Sequence, residues 1–253
     1  MGLRPCGPPC CGRTGDRRLA GLSGVLFVRH ASTPGMRAAR FPAPDEDADA
    51  ASLARAATLT QTAAASAAGP GTVAAAGAAP GSAAVAAAGP VVESAVVAAA
   101  GAVLGAVVGA VAWAAPSVAA CQTAAALGLE ARVVPALAEV ECGRWRGLPY
   151  ERVAREEPDA LASWLTDPHA APHGGESLAA HAERVAAWLE SVRAEPGVVA
   201  VCDAGAIRAA LGHALGLDPL SAARFDLAPL SVTELTVTRA GWRVAHVNRK
   251  VLI

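Results

Sequence analysis

The chain has 253 residues, a formal net charge of -1 and a pI of about 6.6, so no charge excess draws it to nucleic acid or to an anionic membrane surface. Its length suits one large domain or a domain carrying an insertion. Apolar residues reach 53% but aromatics only 4%, so the core must be built largely from Ala and Val, which bury little area each and require close backbone approach.

Residues 1–22 are rich in Gly, Pro and Arg and read as a disordered tail. The cluster Cys6, Cys10 and Cys11 lies in it without a second ligand pair at zinc spacing, so the tail reading is preferred to a metal or lipid site. No apolar signal segment follows Met1 and the myristoylation pattern fails, which makes the cytoplasm the expected address. Cys121, Cys142 and Cys202 are scattered singly and read as small buried hydrophobes.

Val25-Leu26-Phe27-Val28 reads as a buried parallel strand that ends in Arg29-His30. A loop-like stretch follows, then a helix from Ala50 to Thr60. Residues 64–106 form a low-complexity insertion: Val-Ala-Ala-Ala-Gly starts at Val73, Val85 and Val97, twelve residues apart. Ser94 to Ala115 carries no charge, and Gly101, Gly105 and Gly109 make a G-x-x-x-G ladder. The stretch is long enough to cross a membrane. Ala and Gly are weak membrane formers, so the preferred reading is an insertion whose end, Val107 to Ala114, is a core strand.

Beyond Pro116 the texture is ordinary. A helix is expected over Cys121–Leu127, a short strand at Val133-Val134, and helical patterning over Tyr150–Leu165 broken by Pro158. Ser177–Val192 is an amphipathic helix with Leu178, Val185 and Leu189 on one face. A second buried strand, Val198–Cys202, precedes Asp203-Ala204-Gly205 and the helix Ala206–Leu215. Ser231–Thr238 and Trp242–Val247 read as a terminal hairpin. Strands alternating with helices imply a mostly parallel sheet covered on both faces.

An Arg and a His at a strand tip make a cationic site: imidazole can attack phosphorus, and guanidinium can grip phosphoryl oxygens. In open α/β sheets that end of the strand is where ligands bind.

Val28-Arg29-His30-Ala31-Ser32-Thr33 resembles the signature of the histidine phosphatase superfamily, the phosphoglycerate mutase-like family. Further segments match in order: Arg40-Phe41, Gln122-Thr123-Ala124, Leu137-Ala138-Glu139 with Gly143-Arg144-Trp145-Arg146-Gly147, Gly174-Gly175-Glu176-Ser177 with Arg184, Gly205-Ala206-Ile207-Arg208, and the hairpin ending at Asn248. The resemblance implies a three-layer α/β/α sandwich with a mostly parallel sheet, here one domain over 23–253 interrupted by the Ala/Gly-rich insertion. It implies a phosphomonoester hydrolase acting through a phosphohistidine at His30 on a small phosphorylated metabolite. Arg29 would hold the phosphoryl oxygens and Glu139 would act as general acid, then base. Arg40, Thr33 and Ala204 would contact the substrate. The resemblance implies no metal and no cofactor. A small phosphorylated substrate is the partner expected, with neither nucleic acid nor a membrane, and a homodimer is the assembly considered.

Two departures stand out. Asp203 occupies the place of the family's second histidine, and Ala119 that of an arginine. The pocket would thereby lose two cations and gain an anion. Asp203 would repel a phosphate, pair with Arg29, Arg208 or His30, or orient His30 as carboxylates orient other imidazoles. A degenerate member that binds a phosphate ligand without turnover is therefore the alternative reading, with a phosphoglycerate mutase-type phosphotransfer third, since no closing C-terminal lid is evident. Arg184 reads as an ion-pair partner, Glu176 as a helix cap or a phosphate neighbour, and Trp145 as core or pocket wall. His173 reads as a solvated loop residue beside the pocket, with substrate contact as its rival, and His181, His213 and His246 as ordinary.

Overall fold

A computed structural model of the protein describes residues 24–67, as backbone alone from 60 onward, and 111–250. The tail expected over 1–22, and nearly all of the insertion expected over 64–106, lie outside the described residues.

Strand β1 (Gly24–Arg29) leads through a one-turn helix α1 (Pro34–Arg37) to α2 (Ala50–Ala67). Strand β2 (Val111–Ala114), α3 (Val118–Ala126) and β3 (Arg132–Val133) follow. Two 3-10 turns, Pro135–Leu137 and Gly143–Trp145, then lead to α4 (Tyr150–Glu156) and α5 (Pro158–Thr166), separated where Pro158 was expected to break the helix. Helix α6 (Leu178–Ser191), β4 (Val198–Cys202), α7 (Ala204–Leu215) and α8 (Pro219–Ala222) precede the hairpin β5 (Ser231–Thr238) and β6 (Gly241–Lys250).

The six strands form one sheet in the order β3-β2-β4-β1-β5-β6. Pairings from β3 through to β1 are parallel, and those of β5 with β1 and β6 are antiparallel, so the sheet is mostly parallel with an antiparallel edge. All five residues of β4, Val-Val-Ala-Val-Cys, are buried. Apolar side chains alternate sides along a strand, so burial of every one places packed structure on both faces there. On one face Phe27 meets Trp188 of α6 edge-on at 6.1 Å between ring centroids.

The main core matches the composition: Ala56, Ala114, Ala120, Ala200, Ala206 and Ala210 are buried among Val, Leu and Ile. Phe27 and Trp188 belong to this core, while a second cluster forms around Phe41, Trp145 and Trp164, with centroids 5.2–6.1 Å apart. Phe41 carries this cluster to the edge of the site described next.

Several elements are longer than the sequence suggests. α2 runs on to Ala67, α3 begins at Val118, and β6 reaches Lys250. The uncharged stretch Ser94–Ala115 ends in β2, a sheet strand paired to β4 at Val111↔Val198. Among the described residues, no helix is long and apolar enough to cross a membrane. Cys142 and Cys202 are buried as expected, whereas Cys121 is half-buried.

Candidate active site

Parallel pairing alone brings the decisive groups together. Arg29 of β1 pairs in register with Cys202 of β4, so the next residue on each strand, His30 and Asp203, leave the sheet side by side. The His30 N–H donates to the Cys202 carbonyl at 3.0 Å, extending the ladder one step. β2 lies on the far side of β4, and its continuation brings Ser117 to Asp203. Three strand ends thus meet at the edge where α/β sheets bind ligands.

The His30 ring is buried and both its nitrogens are engaged. Nδ1 lies 2.6 Å from the Ala31 carbonyl, and Nε2 lies 2.9 Å from Asp203 Oδ1. Burial works against a charged ring. The hydrogen bond and charge of Asp203 and the Ala31 carbonyl outweigh it, Arg29 opposes them, and the net effect raises the His30 pKa above 6.5. The Ser117 hydroxyl donates to Asp203 Oδ2 at 3.2 Å. Of the partners open to Asp203, the structure selects His30.

Arg29 donates to the Leu227 carbonyl and reaches Met36 Sδ at 3.8 Å. Its Nε is buried without a hydrogen-bond partner among the described residues. Burial and then the nearby Arg208 lower its pKa, against Glu139, Asp203 and Asp226.

Glu139 arrives on the loop after the 3-10 turn Pro135–Leu137. One carboxylate oxygen accepts from its neighbour Val140 N and the other from Gly205 N in the first turn of α7, each at 2.9 Å. The site's second carboxylate therefore rests on a helix N-terminus, where negative charge is favoured. That contact needs glycine: a Cβ at position 205 would overlap the Glu139 carboxylate.

A small cavity of about 100 Å³ is lined by Arg29, His30, Thr33, Arg40, Glu139, Asp203 and Ala204, the residues expected from the sequence to act on or contact the substrate. Ala119, at the position expected to hold an arginine, lies on its wall and adds no charge. Thr33 also caps α1, its Oγ1 accepting from Met36 N at 3.3 Å. Arg40 donates to the Gly147 carbonyl at 3.1 Å, which ties it to the aromatic cluster as well as to the cleft. A neighbouring cavity of about 320 Å³, bordered by Pro42, Pro116, Cys142 and Arg146, shares Ser117, Glu139 and Asp203 with the first. A third cavity, about 670 Å³, shares Glu139 but reaches none of His30, Arg29 and Asp203.

The family profile described as "Histidine phosphatase superfamily (branch 1)" matches residues 94–250, more than half of the chain. The chain belongs to the histidine phosphatase superfamily. The matched stretch begins after Arg29 and His30, so their place rests on the sheet register. Among curated proteins, the chain is 34% identical over 103 residues to phosphoserine phosphatase 1 of Hydrogenobacter thermophilus, covering 39% of this chain and 49% of that protein. It is 37% identical over 99 residues to glucosyl-3-phosphoglycerate phosphatase of Mycobacterium tuberculosis, covering 35% and 44% respectively. The matching stretches thus span just under half of these relatives. Solved structures extend the likeness across the fold. A mycobacterial glucosyl-3-phosphoglycerate phosphatase in complex with VO3 superposes with a TM-score of 0.64 at 21% identity, covering 90% of this chain and all of that one (100%). A phosphoserine phosphatase variant from Entamoeba histolytica, in complex with phosphoserine, gives 0.66 at 14% identity, covering 91% and 99%. At such identities the superpositions establish a shared fold.

Around these cavities the remaining residues sort by geometry. Arg184 forms a two-pronged ion pair with Glu176 at 2.9 and 2.7 Å. It also donates to the carbonyls of Pro135, Ala136 and Ala138, which clamps the loop that carries Glu139. Glu176 is thereby a structural anion: burial alone would raise its pKa, and Arg184 brings it below 4.5. His181 lies buried with Nε2 3.1 Å from the Ala138 carbonyl, a second brace on the same loop.

His173 departs from expectation. It is 2% exposed, its ring centroid 4.9 Å from that of Trp145, and it is neither a solvated loop residue nor part of the His30 cavity. The Gly143 and Gly175 backbones pack too closely for any Cβ, which folds the Gly-Gly turn back onto the tryptophans. Burial, then Arg144, lowers its pKa below 6.5.

Sequence reasoning missed three supports. Thr123 Oγ1 accepts from Ala31 N at 2.9 Å and donates to the Ala119 carbonyl at 2.6 Å, which fixes the loop after His30. Glu46 accepts from Gly35 N at 2.5 Å and lines the cleft. Ser117 holds Asp203. Thr123 was visible as part of a motif, but not its role; the other two carry no sequence signal of their own.

Proposed function

We propose that the protein is a phosphomonoester hydrolase that works through a phosphohistidine at His30 on a small phosphorylated metabolite. The carrying observation is the convergence of Arg29, His30, Glu139 and Asp203 on one small cavity at the carboxyl ends of β1 and β4. Family membership and the phosphatase relatives support the reaction class.

The two adjoining cavities suggest how an ester would lie. The phosphoryl group fits the smaller one beside His30 and Arg29, and the alcohol portion the larger one, with Glu139 on the wall they share. That is the position required of a group that protonates the leaving oxygen and then takes a proton from water. Arg29 and Arg40 supply positive charge to the phosphoryl oxygens.

A second reading is a phosphate binder without turnover. It is favoured by the contact between His30 Nε2 and Asp203 and by the uncharged Ala119. Single-turnover kinetics on an aryl phosphate separate the two. Phosphatase action predicts a burst in the parent, with acid-labile, base-stable phosphate on His30, and none in His30→Ala. Tight phosphate binding with no burst at any pH would leave the binder.

A further inference from the structure

The hydrogen bonds around His30 present a chemical difficulty. A carbonyl oxygen only accepts, so the contact to Ala31 makes Nδ1 a donor. Nε2 is then the nitrogen that must attack phosphorus. That nitrogen faces Asp203 Oδ1 at 2.9 Å. If Asp203 is ionised, Nε2 carries a proton and has no lone pair; if Asp203 is protonated, that lone pair accepts its O–H. Either way one proton lies between the two groups and the nucleophile is blocked.

The surroundings decide where the proton can go. Arg29 projects from β1 beside His30, with Arg208 of α7 and Asp226 nearby. Glu139, Arg40 and Glu46 also line the cavity, and Ala119 adds no charge. Cys202 is buried, and its thiol is pushed far up by burial and by Asp203 and Glu139. It therefore exchanges no proton near neutrality. Ser117 can donate to Asp203 or turn its hydroxyl to accept from it.

Resting on the phosphatase reading, we propose that a bound phosphate ester moves the shared proton from His30 Nε2 to Asp203, which frees the nucleophile and turns Asp203 into a neutral hydrogen-bond donor to the phosphoryl group. An anionic oxygen arriving beside the carboxylate disfavours its ionised form and drives the transfer. Nε2 then forms the N–P bond, the ester P–O bond breaks, and the leaving oxygen takes the proton of Glu139. In the second step water attacks phosphorus and gives a proton to Glu139. The P–N bond breaks with its electron pair returning to Nε2, which recovers its proton from Asp203. The sum is ester plus water to alcohol plus phosphate. Asp203 thus supplies by protonation the donor that a second histidine would supply.

The test is ¹⁵N NMR of protein labelled in histidine, titrated with inorganic phosphate at pH 7, beside pH–rate profiles of the parent and Asp203→Asn. The free protein should show both His30 nitrogens protonated, and saturating phosphate should strip the proton from Nε2 alone. Asparagine cannot ionise, so the alkaline limb of kcat/KM set by loss of the shared proton should disappear in the variant, leaving the decline set by ionisation of Glu139, the proton donor, which both proteins share. Its advantage over the parent should grow by about tenfold for each pH unit beyond the limb. An unprotonated Nε2 in the free protein, or one still protonated at saturating phosphate, overturns the proposal. So does an Asp203→Asn variant that loses activity equally at every pH, the behaviour of a carboxylate that only orients the ring. The phosphatase reading fails separately, if the parent never forms phosphohistidine; NMR reads the proton without turnover.

Discussion

Replacing Gly205 with alanine should strike the chemistry while sparing the fold. Gly205 is the second residue of α7, and its N–H holds Glu139 at 2.9 Å. The new methyl would overlap the Glu139 carboxylate, far inside the 3.4 Å at which ordinary contact begins, so the carboxylate must retreat by well over an ångström. Its charge-assisted hydrogen bond is worth about 1.5–3 kcal/mol. Alanine returns up to about 1 kcal/mol through helix propensity. The displaced group is the end of a flexible side chain, so stability should fall by only about 0.5–2 kcal/mol, the difference of these terms. Activity should fall further, since a misplacement of about 1 Å in a reacting constellation can cost about 100-fold. Urea unfolding would measure the first effect and kcat/KM on an aryl phosphate the second. The double variant Gly205→Ala/Glu139→Gln should be no slower than Glu139→Gln alone, because both act through one carboxylate. If Gly205→Ala kept kcat/KM within about threefold of the parent, less than 1 kcal/mol of barrier, the placement of Glu139 would be wrong.

Three other predictions rest on separate contacts. Arg184→Met should cost about 2–3 kcal/mol, since it leaves Glu176 and three carbonyls without their charged donor; chemical denaturation at pH 7 should show it, and a loss below about 0.5 kcal/mol would mark a loose surface pair. The His30–Asp203 pair should tie stability to pH in a fixed direction. His30 titrates above its ordinary value in the folded protein, so its contribution is complete below about pH 6.5 and fades as pH rises through the folded value. The stability gap between the parent and His30→Gln should therefore narrow from pH 6 to pH 9, and widening would contradict the assignment. Burial holds the Cys142 thiol up to about 12, and that of Cys202 well above 9. Both should resist a thiol reagent at pH 8 in native protein and react on unfolding, as peptide mapping would show.

Much of the site was legible because its residues sit on short local patterns. An apolar run ending in Arg29-His30, and a second one ending in Cys202-Asp203, announce two buried strands with polar tips. The alternation of strands and helices announces the sheet. Ser177 before an amphipathic run gives the start of α6, and the structure shows its Oγ accepting from Ala180 N at 3.1 Å. Such features depend on residues a few positions apart, which the sequence displays directly.

The rest was decided at long range. Asp203 stood open among three partners until the parallel register of β1 with β4 set it against His30, a relation 173 positions apart that no local pattern encodes. His173 looked like a loop residue because a Gly-Gly turn reads as exposed. It is buried because that turn packs on Trp145, far earlier in the chain. Glu139 was named from its motif, but the sequence did not show that the Gly205 N–H holds it. Sequence by itself determined which strands end in reactive groups, since buried apolar runs and their polar tips are local facts. Only the tertiary structure decided which of those groups touch, because strand order and register arise from packing the whole sheet at once.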